Sequence, residues 1–479
     1  MESSAKKAEQ VIKQPKSLSE RIQWLRDYYF KGTERPWNNE NTSWTTGTPW
    51  DEQYDELTFY IVPETYALLQ TLHASYRMAA RPVKLHKDFW KWSLPERRSW
   101  FNREVMVNYL PHEMLPGDLL AGARFNIQTS MCLNKKEAKK RGKMIMGKNG
   151  SRAKMKSFHD HGYGNAGATS GHLVPGHERA LTLGWKGIHE DLEKKYQALS
   201  QREKKGAKGA QLRAMMTAAT MPGQVAARYA EACREEAVKV SDSMRREELL
   251  QMARNLERVP WEPPKTFWEA LQALWLNHML IMADENYPGP GVSFGRIDQY
   301  LYPYWKRSLD MGMDREFGKE IMKCFWFHAN TAYDSMIRTG NQGITAGFGQ
   351  LLTVSGRGRD GEDLSNDLTY AILEVIDDMT PILEPKPNVR LHRNTPDQLL
   401  DRVVGMVESS QGAPFLLNFD ERSMAGMMRE AKKAGIEHLI NEENVWDYAP
   451  VGCLENTMVG NDRSGTVDNN LNLPLDDQE

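Results

Sequence analysis

Residues 448–456 read YAPVGCLEN, and this segment decides how the rest of the chain is interpreted. Pro450 precedes the cysteine, and a run rich in Gly, Asn and Asp follows it, so the pattern predicts a loop with an extended tip. In an extended backbone, Cys453 and Glu455 project to the same side. A thiol can give up a hydrogen atom and take it back, and a neighbouring carboxylate can move a proton on the same substrate. Taken alone, Cys-x-Glu also fits a buried structural cysteine.

Strand-like and helix-like patterns alternate upstream of this segment, which predicts an α/β layer or barrel architecture. Residues 1–60 are interpreted as a polar N-terminal arm and residues 61–479 as one domain. Thr266 and Glu269 form a capping-box pattern at a helix start, and Ser365 is predicted to cap another helix. The predicted strands are 348–356, 388–392 and 413–419, and the predicted helices include 190–258 as a helix-rich region, 314–334, 364–379, 395–410 and 421–434.

The composition excludes several classes of protein. The 479 residues are 40% hydrophobic and 26% charged, with a net charge of -2, so neither nucleic acid nor an anionic membrane is expected as a partner. There is no secretory signal pattern and no apolar run of about 18 residues, so we expect a cytoplasmic protein. The four cysteines form no CxxC pair, which argues against a disulfide framework and against zinc or iron–sulfur ligation.

Two motifs resemble ligand sites but are interpreted otherwise. Gly356–Gly361 matches G-x-G-x-x-G, but acidic residues follow where a pyrophosphate would lie, so a polar turn is predicted and nicotinamide binding is not. His159 and His161 would share a face of an extended segment, but no third ligand is identifiable. We therefore predict no metal and interpret the segment as a loop beside a pocket.

Three further features are interpreted as structural. The basic run 135–156 is predicted to be a solvated loop insertion, with an anion-binding patch as the alternative. Arg296 and Asp298 are predicted to form a polar network under a loop. His278 lies on the apolar stripe of a helix and is predicted to be a core histidine with a hydrogen-bond partner.

The GCLE segment, with its aromatic and proline lead-in, resembles the thiyl loop of glycyl radical enzymes, the pyruvate formate-lyase-like family. Six further segments are similar to the same family and occur in the family's order. They are LPGDLLAGARF (115–125), GHLVPGHERALTLGWKGI (171–188), KTFWEALQALWLNHM (265–279), SFGRIDQYLYPYW (293–305), LLTVSGRGRDGEDLSNDLTYAILE (351–374) and PNVRLH (387–392).

The resemblance implies a ten-stranded α/β barrel of two five-stranded half-barrels wrapped by helices. It also implies that Cys453 is the thiyl residue and Glu455 the acid/base of the eliminating and decarboxylating branches. Pyruvate formate-lyase itself has adjacent cysteines there, and benzylsuccinate synthases lack the glutamate. The implied activity is that of an anaerobic lyase, with Tyr163 and Ser293 as substrate-pocket residues.

The substrate branch rests on one or two residues. GCVEP is typical of choline lyase and of glycerol or diol dehydratases, whereas GCLEN looks closer to 4-hydroxyphenylacetate decarboxylase and related arylacetate decarboxylases. The expected function is therefore cleavage of a C–C or C–X bond, with arylacetate decarboxylation as the first candidate. Elimination from a small polar substrate is the alternative.

The resemblance also implies partners. A radical-SAM activating enzyme with an iron–sulfur cluster would install the glycyl radical, and no organic cofactor would bind this chain. The family's R-V-x-G-[YF] glycine motif does not occur in these 479 residues, so the second half-barrel is expected from a longer product or a second polypeptide. We expect a homo-oligomer acting on a small organic substrate. A non-catalytic remnant or scaffold that pairs with another subunit is the alternative from a different class.

Overall fold

A computed structural model describes most of the chain beyond residue 131 and parts of the chain before it. The described residues are 18–29, 83–109, 112, 114, 117–122, 132–162, 164–166, 172–284, 291–330, 350–380, 384–409, 415–452, 454–461 and 469–471. The predicted arm lies mostly outside them.

Helices dominate the described residues. The α-helices there are α1 (Glu20–Tyr29), α2 (Leu94–Asn108), α3 (Lys135–Met146), α4 (Ser151–Asp160), α5 (His177–Gln197), α6 (Gln201–Lys205), α7 (Ala207–Ala219), α8 (Met221–Lys239), α9 (Ser243–Arg258), α10 (Phe267–Asp284), α11 (Ile297–Tyr300), α12 (Tyr302–Asp310), α13 (Arg315–Asn330), α14 (Asp367–Met379), α15 (Asp397–Ser409) and α16 (Asp420–Ala434). Two 3₁₀-helices cover Phe89–Lys91 and Val445–Asp447. The strands are β1 (Gly164–Ala166), β2 (Gly295–Arg296), β3 (Leu351–Ser355), β4 (Lys386–Leu391), β5 (Leu416–Phe419), β6 (Tyr448–Val451), β7 (Glu455–Met458) and β8 (Asn469–Leu471).

A parallel sheet with strand order β2-β3-β4-β5 organises the fold. Helix α14 connects β3 to β4 and α15 connects β4 to β5, as parallel neighbours require a crossover. A parallel bridge between Leu173 and Val292 adds one more extended segment beside β2. The predicted α/β fold is confirmed, and the predicted strands lie within two to three residues of the observed ones.

The two faces of this sheet differ in chemistry. Leu352, Val354 and Val389 point into the main apolar core, which the helices cover. The opposite face is polar, because Thr353 pairs in register with Asn388, and Ser355 with Arg390. These four polar residues are buried, so another part of the chain must cover them.

The antiparallel hairpin β6–β7 covers the polar face. Neighbouring strand residues point to opposite sides, and the hairpin uses both. Ala449 and Val451 pack against Val174, in the segment beside β2. On the other side, the centroid of the Tyr448 ring lies 4.1 Å from the guanidinium carbon of Arg390 on β4. The sheet therefore curls around the hairpin.

The helix caps confirm one prediction and correct another. The Thr266 hydroxyl accepts from the Glu269 amide, and the Glu269 carboxylate accepts from the Thr266 amide, so the predicted capping box is confirmed. Asn366, not Ser365, caps α14, because the Asn366 side chain accepts from the first amides of that helix.

Two sequence interpretations in the N-terminal half are wrong. The basic run 135–156 forms helices instead of a loop, because Asn134 and Glu137 build a capping box that starts α3. The Glu137 carboxylate also pairs with buried Arg97 at 2.7 Å. The segment before His161 is not extended, since α4 runs to Asp160, so the shared strand face proposed for two histidine ligands does not exist.

The described residues contain neither a cluster of metal ligands nor a membrane-spanning helix. Among them, no group of three or more His, Cys, Asp or Glu side chains could hold a metal ion. No helix in the same part of the chain combines the length and the apolar character needed to cross a bilayer.

Buried histidines complete the core near α5 and α10. The prediction for His278 is confirmed, since its Nε2 lies 2.9 Å from the Gln350 side-chain oxygen. His177 is buried among aromatic rings, including Phe294 and Tyr300 at 6.4 and 6.1 Å. Burial lowers the pKa of His177 from 6.5 to about 3.

This shift predicts a pH-dependent stability. Below about pH 6.5 the unfolded chain protonates His177 while the native state does not, so stability falls as the pH drops toward about 3. We expect this group to cost about 2 kcal/mol between pH 7.5 and pH 5. Urea unfolding across this range should show a smaller loss of unfolding free energy for His177→Gln than for the wild type. The variant His438→Gln, at an exposed position, should keep the wild-type slope, and equal slopes for all three proteins would contradict the assignment.

Candidate active site

A buried ion pair fixes the base of the hairpin. Arg390 Nε donates to Asp420 Oδ1 at 2.8 Å, and both residues are fully buried. The other guanidinium nitrogens donate to the carbonyls of Trp446 and Tyr448 at 2.9 and 3.0 Å. The Tyr448 hydroxyl donates to the same Asp420 oxygen at 2.8 Å. The base of β6 is therefore held by main-chain and side-chain contacts to one arginine.

The G-x-G-x-x-G motif packs against the same arginine, Arg390. Gly356 has φ +99°, and a Cβ there would lie 2.8 Å from Arg390 Nε. The first glycine of the motif is thus needed so that the guanidinium can pass directly over the backbone. The polar turn predicted for Gly356–Gly361 is what the structure contains.

A second arginine contacts the hairpin base from β2. Arg296 Nη1 donates to Asp447 Oδ1 at 3.1 Å. Asp298 instead accepts from the Ser355 amide at 2.7 Å and the Thr369 hydroxyl at 2.6 Å, and burial raises its pKa. Arg296 and Asp298 are thus both buried in a structural polar network, as predicted, but their hydrogen bonds go to different partners, because β2 ends at Arg296 and α11 begins at the next residue.

Ser293 holds the tip of the hairpin. The Gly452 amide donates to Ser293 Oγ at 3.2 Å, and the Leu351 amide donates to the same oxygen at 3.1 Å. This fully buried hydroxyl therefore links the tip to β3. Of the other predicted site residues, Cys453 and Tyr163 lie outside the described residues.

His172 is the residue that the sequence analysis missed. Its imidazole is buried and packs so closely on the tip that a Cβ at Gly452 would lie 2.6 Å from His172 Cε1. A Cβ at Gly291 would also lie 2.9 Å from the ring. His172 Nδ1 lies 3.4 Å from Glu455 Oε1. The tip thus brings an imidazole and a carboxylate together, and the glycine–histidine pair that opens segment 171–188 was the available signal.

Two residues with side chains adopt left-handed backbone conformations here. Leu454 has φ +95° and His172 has φ +50°. Such conformations cost about 1–3 kcal/mol each and persist only where the surroundings impose them. Leu454 follows Gly452 two positions later in the chain, and His172 packs on Gly452. Both strained residues therefore lie at the candidate site.

The other thiols are unsuited to chemistry. Cys132, Cys233 and Cys324 are buried. Burial raises the pKa of Cys233 to about 12 and raises that of Cys324 well above its ordinary value. None of the three offers an accessible thiolate.

Fold and site together define an α/β protein whose parallel sheet packs against the antiparallel hairpin that carries Glu455. A family model described as pyruvate formate lyase-like matches residues 132–475. The chain belongs to the pyruvate formate lyase-like family of glycyl radical enzymes, and the predicted membership is confirmed.

Known proteins with similar sequences catalyse different bond cleavages. The chain is 32% identical to (2S)-3-sulfopropanediol dehydratase of Klebsiella oxytoca over 319 residues, 65% of this chain and 36% of that protein. It is 30% identical to indoleacetate decarboxylase of Tractidigestivibacter scatoligenes over 247 residues, 51% of this chain and 25% of that protein. The fold is similar to a glycyl radical enzyme from Archaeoglobus fulgidus, with a TM-score of 0.64 and 23% identity, over 85% of this chain and 57% of the other. The chain therefore spans about a third of the dehydratase's length.

The packing of Gly452 on His172 predicts an unequal pair of variants. Gly452 and Gly435 both have positive φ, but a Cβ at Gly435 would meet nothing within 4 Å. Gly435→Ala should cost about 1–2 kcal/mol, the penalty of a left-handed residue with a Cβ. Gly452→Ala should cost about 1–3 kcal/mol more, because it also displaces a buried ring. Denaturant unfolding measures both, and equal losses would show that the imidazole does not pack as described.

Proposed function

We propose that this chain is the cysteine-bearing part of a glycyl radical lyase, with Cys453 as the thiyl residue and Glu455 as the acid/base. The supporting observation is the Glu455–His172 contact of 3.4 Å beside the tip that Ser293 holds. Family membership supports the radical chemistry, since glycyl radical enzymes use a radical that a radical-SAM activase installs. That radical supplies the unpaired electron.

Two residues of this chain would then carry out the reaction, Cys453 by hydrogen-atom transfer and Glu455 by proton transfer. The Cys453 sulfur takes a hydrogen atom from a substrate C–H bond, which leaves a carbon radical. Glu455 accepts the proton of a hydroxyl on that carbon while the neighbouring C–X bond breaks and X leaves with the bonding electron pair. The product radical takes the hydrogen atom back from Cys453 and restores the thiyl.

His172 would support the carboxylate. Its imidazole contacts Glu455 and is fixed by packing on Gly452 and Gly291, so it restricts where the carboxylate can lie. A held carboxylate transfers protons more efficiently than a mobile one. Ser293, predicted as a substrate contact, already accepts two amide hydrogen bonds, so we assign it mainly to positioning of the tip. Tyr163 remains a proposed pocket residue.

Elimination from a small polar substrate is the reaction we favour. A buried imidazole next to a carboxylate suits a substrate with a hydroxyl and a polar leaving group, as the name of the sulfopropanediol dehydratase relative implies for that protein. Arylacetate decarboxylation is the second candidate. It is supported by the similarity to an indoleacetate decarboxylase.

The rest of the barrel would come from elsewhere. The curled sheet supports the role of this chain as one half-barrel. A longer product or a second polypeptide would then supply the other half and the glycine loop. The complete enzyme would be a homo-oligomer served by the activase. The alternative, a non-catalytic scaffold, predicts that no assembly yields turnover.

Three variants test the proposal in the assembled enzyme, activated under anoxia. Cys453→Ala should keep the glycyl radical signal in electron paramagnetic resonance and abolish turnover. Glu455→Gln should lower kcat roughly 10²- to 10⁴-fold, while Glu437→Gln, at an exposed turn position, should change nothing. Turnover that survives in Cys453→Ala would refute the thiyl assignment. A radical-bearing wild-type assembly without lyase activity on hydroxylated or arylacetate substrates would favour the scaffold.

A further inference from the structure

We infer that Asn418 is a positioning residue for the acid/base, acting through Asn456 on the strand that carries Glu455. This inference rests on the proposed role of Glu455 and adds residues to which the family resemblance assigns no role. Asn418 lies on β5, far from Glu455 in sequence, and contacts the hairpin from the polar face of the sheet.

Three side-chain amides form a directional relay. Asn388 Nδ2 donates to Asn418 Oδ1 at 2.7 Å, and Asn418 Nδ2 donates to Asn456 Oδ1 at 3.0 Å. Each bond fixes the orientation of the next amide, because one flipped amide would put like groups opposite each other. Asn388 is fully buried on β4, so the relay starts from a rigid part of the sheet.

The relay reaches the strand at the position next to Glu455. Glu455 and Asn456 are neighbours on β7, so their side chains point to opposite faces of the hairpin. Glu455 faces His172 at one side of the curled sheet, and Asn456 faces Asn418 at the other. A shift of β7 away from Asn418 would therefore change the distance between the carboxylate and the imidazole.

The two hairpin strands are held in different ways. β6 is fixed at its base by the contacts of Tyr448 with Arg390 and Asp420, and next to its end by the bond from the Gly452 amide to Ser293. β7 has a side-chain anchor in its middle, at Asn456, and a main-chain bond just after its end, from Gly460 to Val174. Asn456 is the immediate neighbour of Glu455 on β7.

This arrangement changes how the GCLEN sequence is interpreted. The asparagine after the glutamate is turned toward Asn418 and bound there. We therefore assign it to the placement of Glu455, and the polar residue at this position no longer argues for one substrate branch over another.

The relay can be tested by hydrogen exchange on the chain as it stands. We will compare Asn418→Ala, Asn456→Ala and the double variant by mass spectrometry of the peptides that cover 454–458. Each single variant should exchange about fivefold faster there, the change that one lost hydrogen bond gives. The double variant should match the singles, because both remove the same bond. Asn394→Ala, which loses one exposed hydrogen bond to a backbone carbonyl, is the matched control and should leave these peptides unchanged.

A conservative variant distinguishes the loss of a hydrogen bond from the loss of side-chain volume. Asn418→Asp keeps an acceptor for Asn388 and can accept from a rotated Asn456 amide, so it should restore slow exchange. In the activated assembly, Asn418→Ala should lower kcat roughly tenfold with KM within about twofold, as expected for a misplaced catalytic group. Unchanged exchange in the single variants, additive effects in the double variant, or equal effects in Asn394→Ala would overturn the inference. Since exchange needs no turnover, this result is independent of whether the proposed lyase activity is found.

Discussion

The buried ion pair between Arg390 and Asp420 is the contact on which the site depends. Two charges without access to water are costly unless all their polar atoms are satisfied. Here the arginine also donates to the Tyr448 carbonyl of the hairpin and to the Trp446 carbonyl just before it. Asp420 also accepts from the Tyr448 hydroxyl and the Arg357 amide. The charges can remain buried only while the hairpin lies on the sheet, so folding of the ion pair and docking of the hairpin are one event.

A fixed base allows a strained tip. Leu454 and His172 hold left-handed conformations at a cost of about 1–3 kcal/mol each, and loss of one partner from a buried ion pair costs about 3–5 kcal/mol. Loss of one partner of this ion pair would therefore cost about as much as the strain of the two residues together, about 2–6 kcal/mol. This balance lets the chain keep an imidazole and a carboxylate in contact where a relaxed loop would separate them.

Local signals in the sequence predicted much of this fold, and contacts between distant segments were not predictable from it. The Thr266 capping box and the strand at 351–355 are visible in short stretches, since neighbouring residues create them. The helices in 135–156 were not predicted because the helix start depends on the cap at Asn134, a signal that the lysine-rich composition of the segment obscures. His172 was missed for a different reason: its importance comes from packing against Gly452, some 280 positions later, which no periodicity or spacing records.

Because contacts between distant segments cannot be predicted from short stretches, a short motif specifies only part of the chemistry of a site. GCLEN specifies a thiol and a carboxylate on one turn, but β4 and β5 decide where that turn lies. Contacts between such distant segments form late, because loop closure must be offset before they contribute. The hairpin packs on both the segment at Val174 and the strand at Arg390. The geometry of Glu455 is therefore a property of the whole curled sheet, so proteins with similar tips can differ in reaction through the residues that hold the tip.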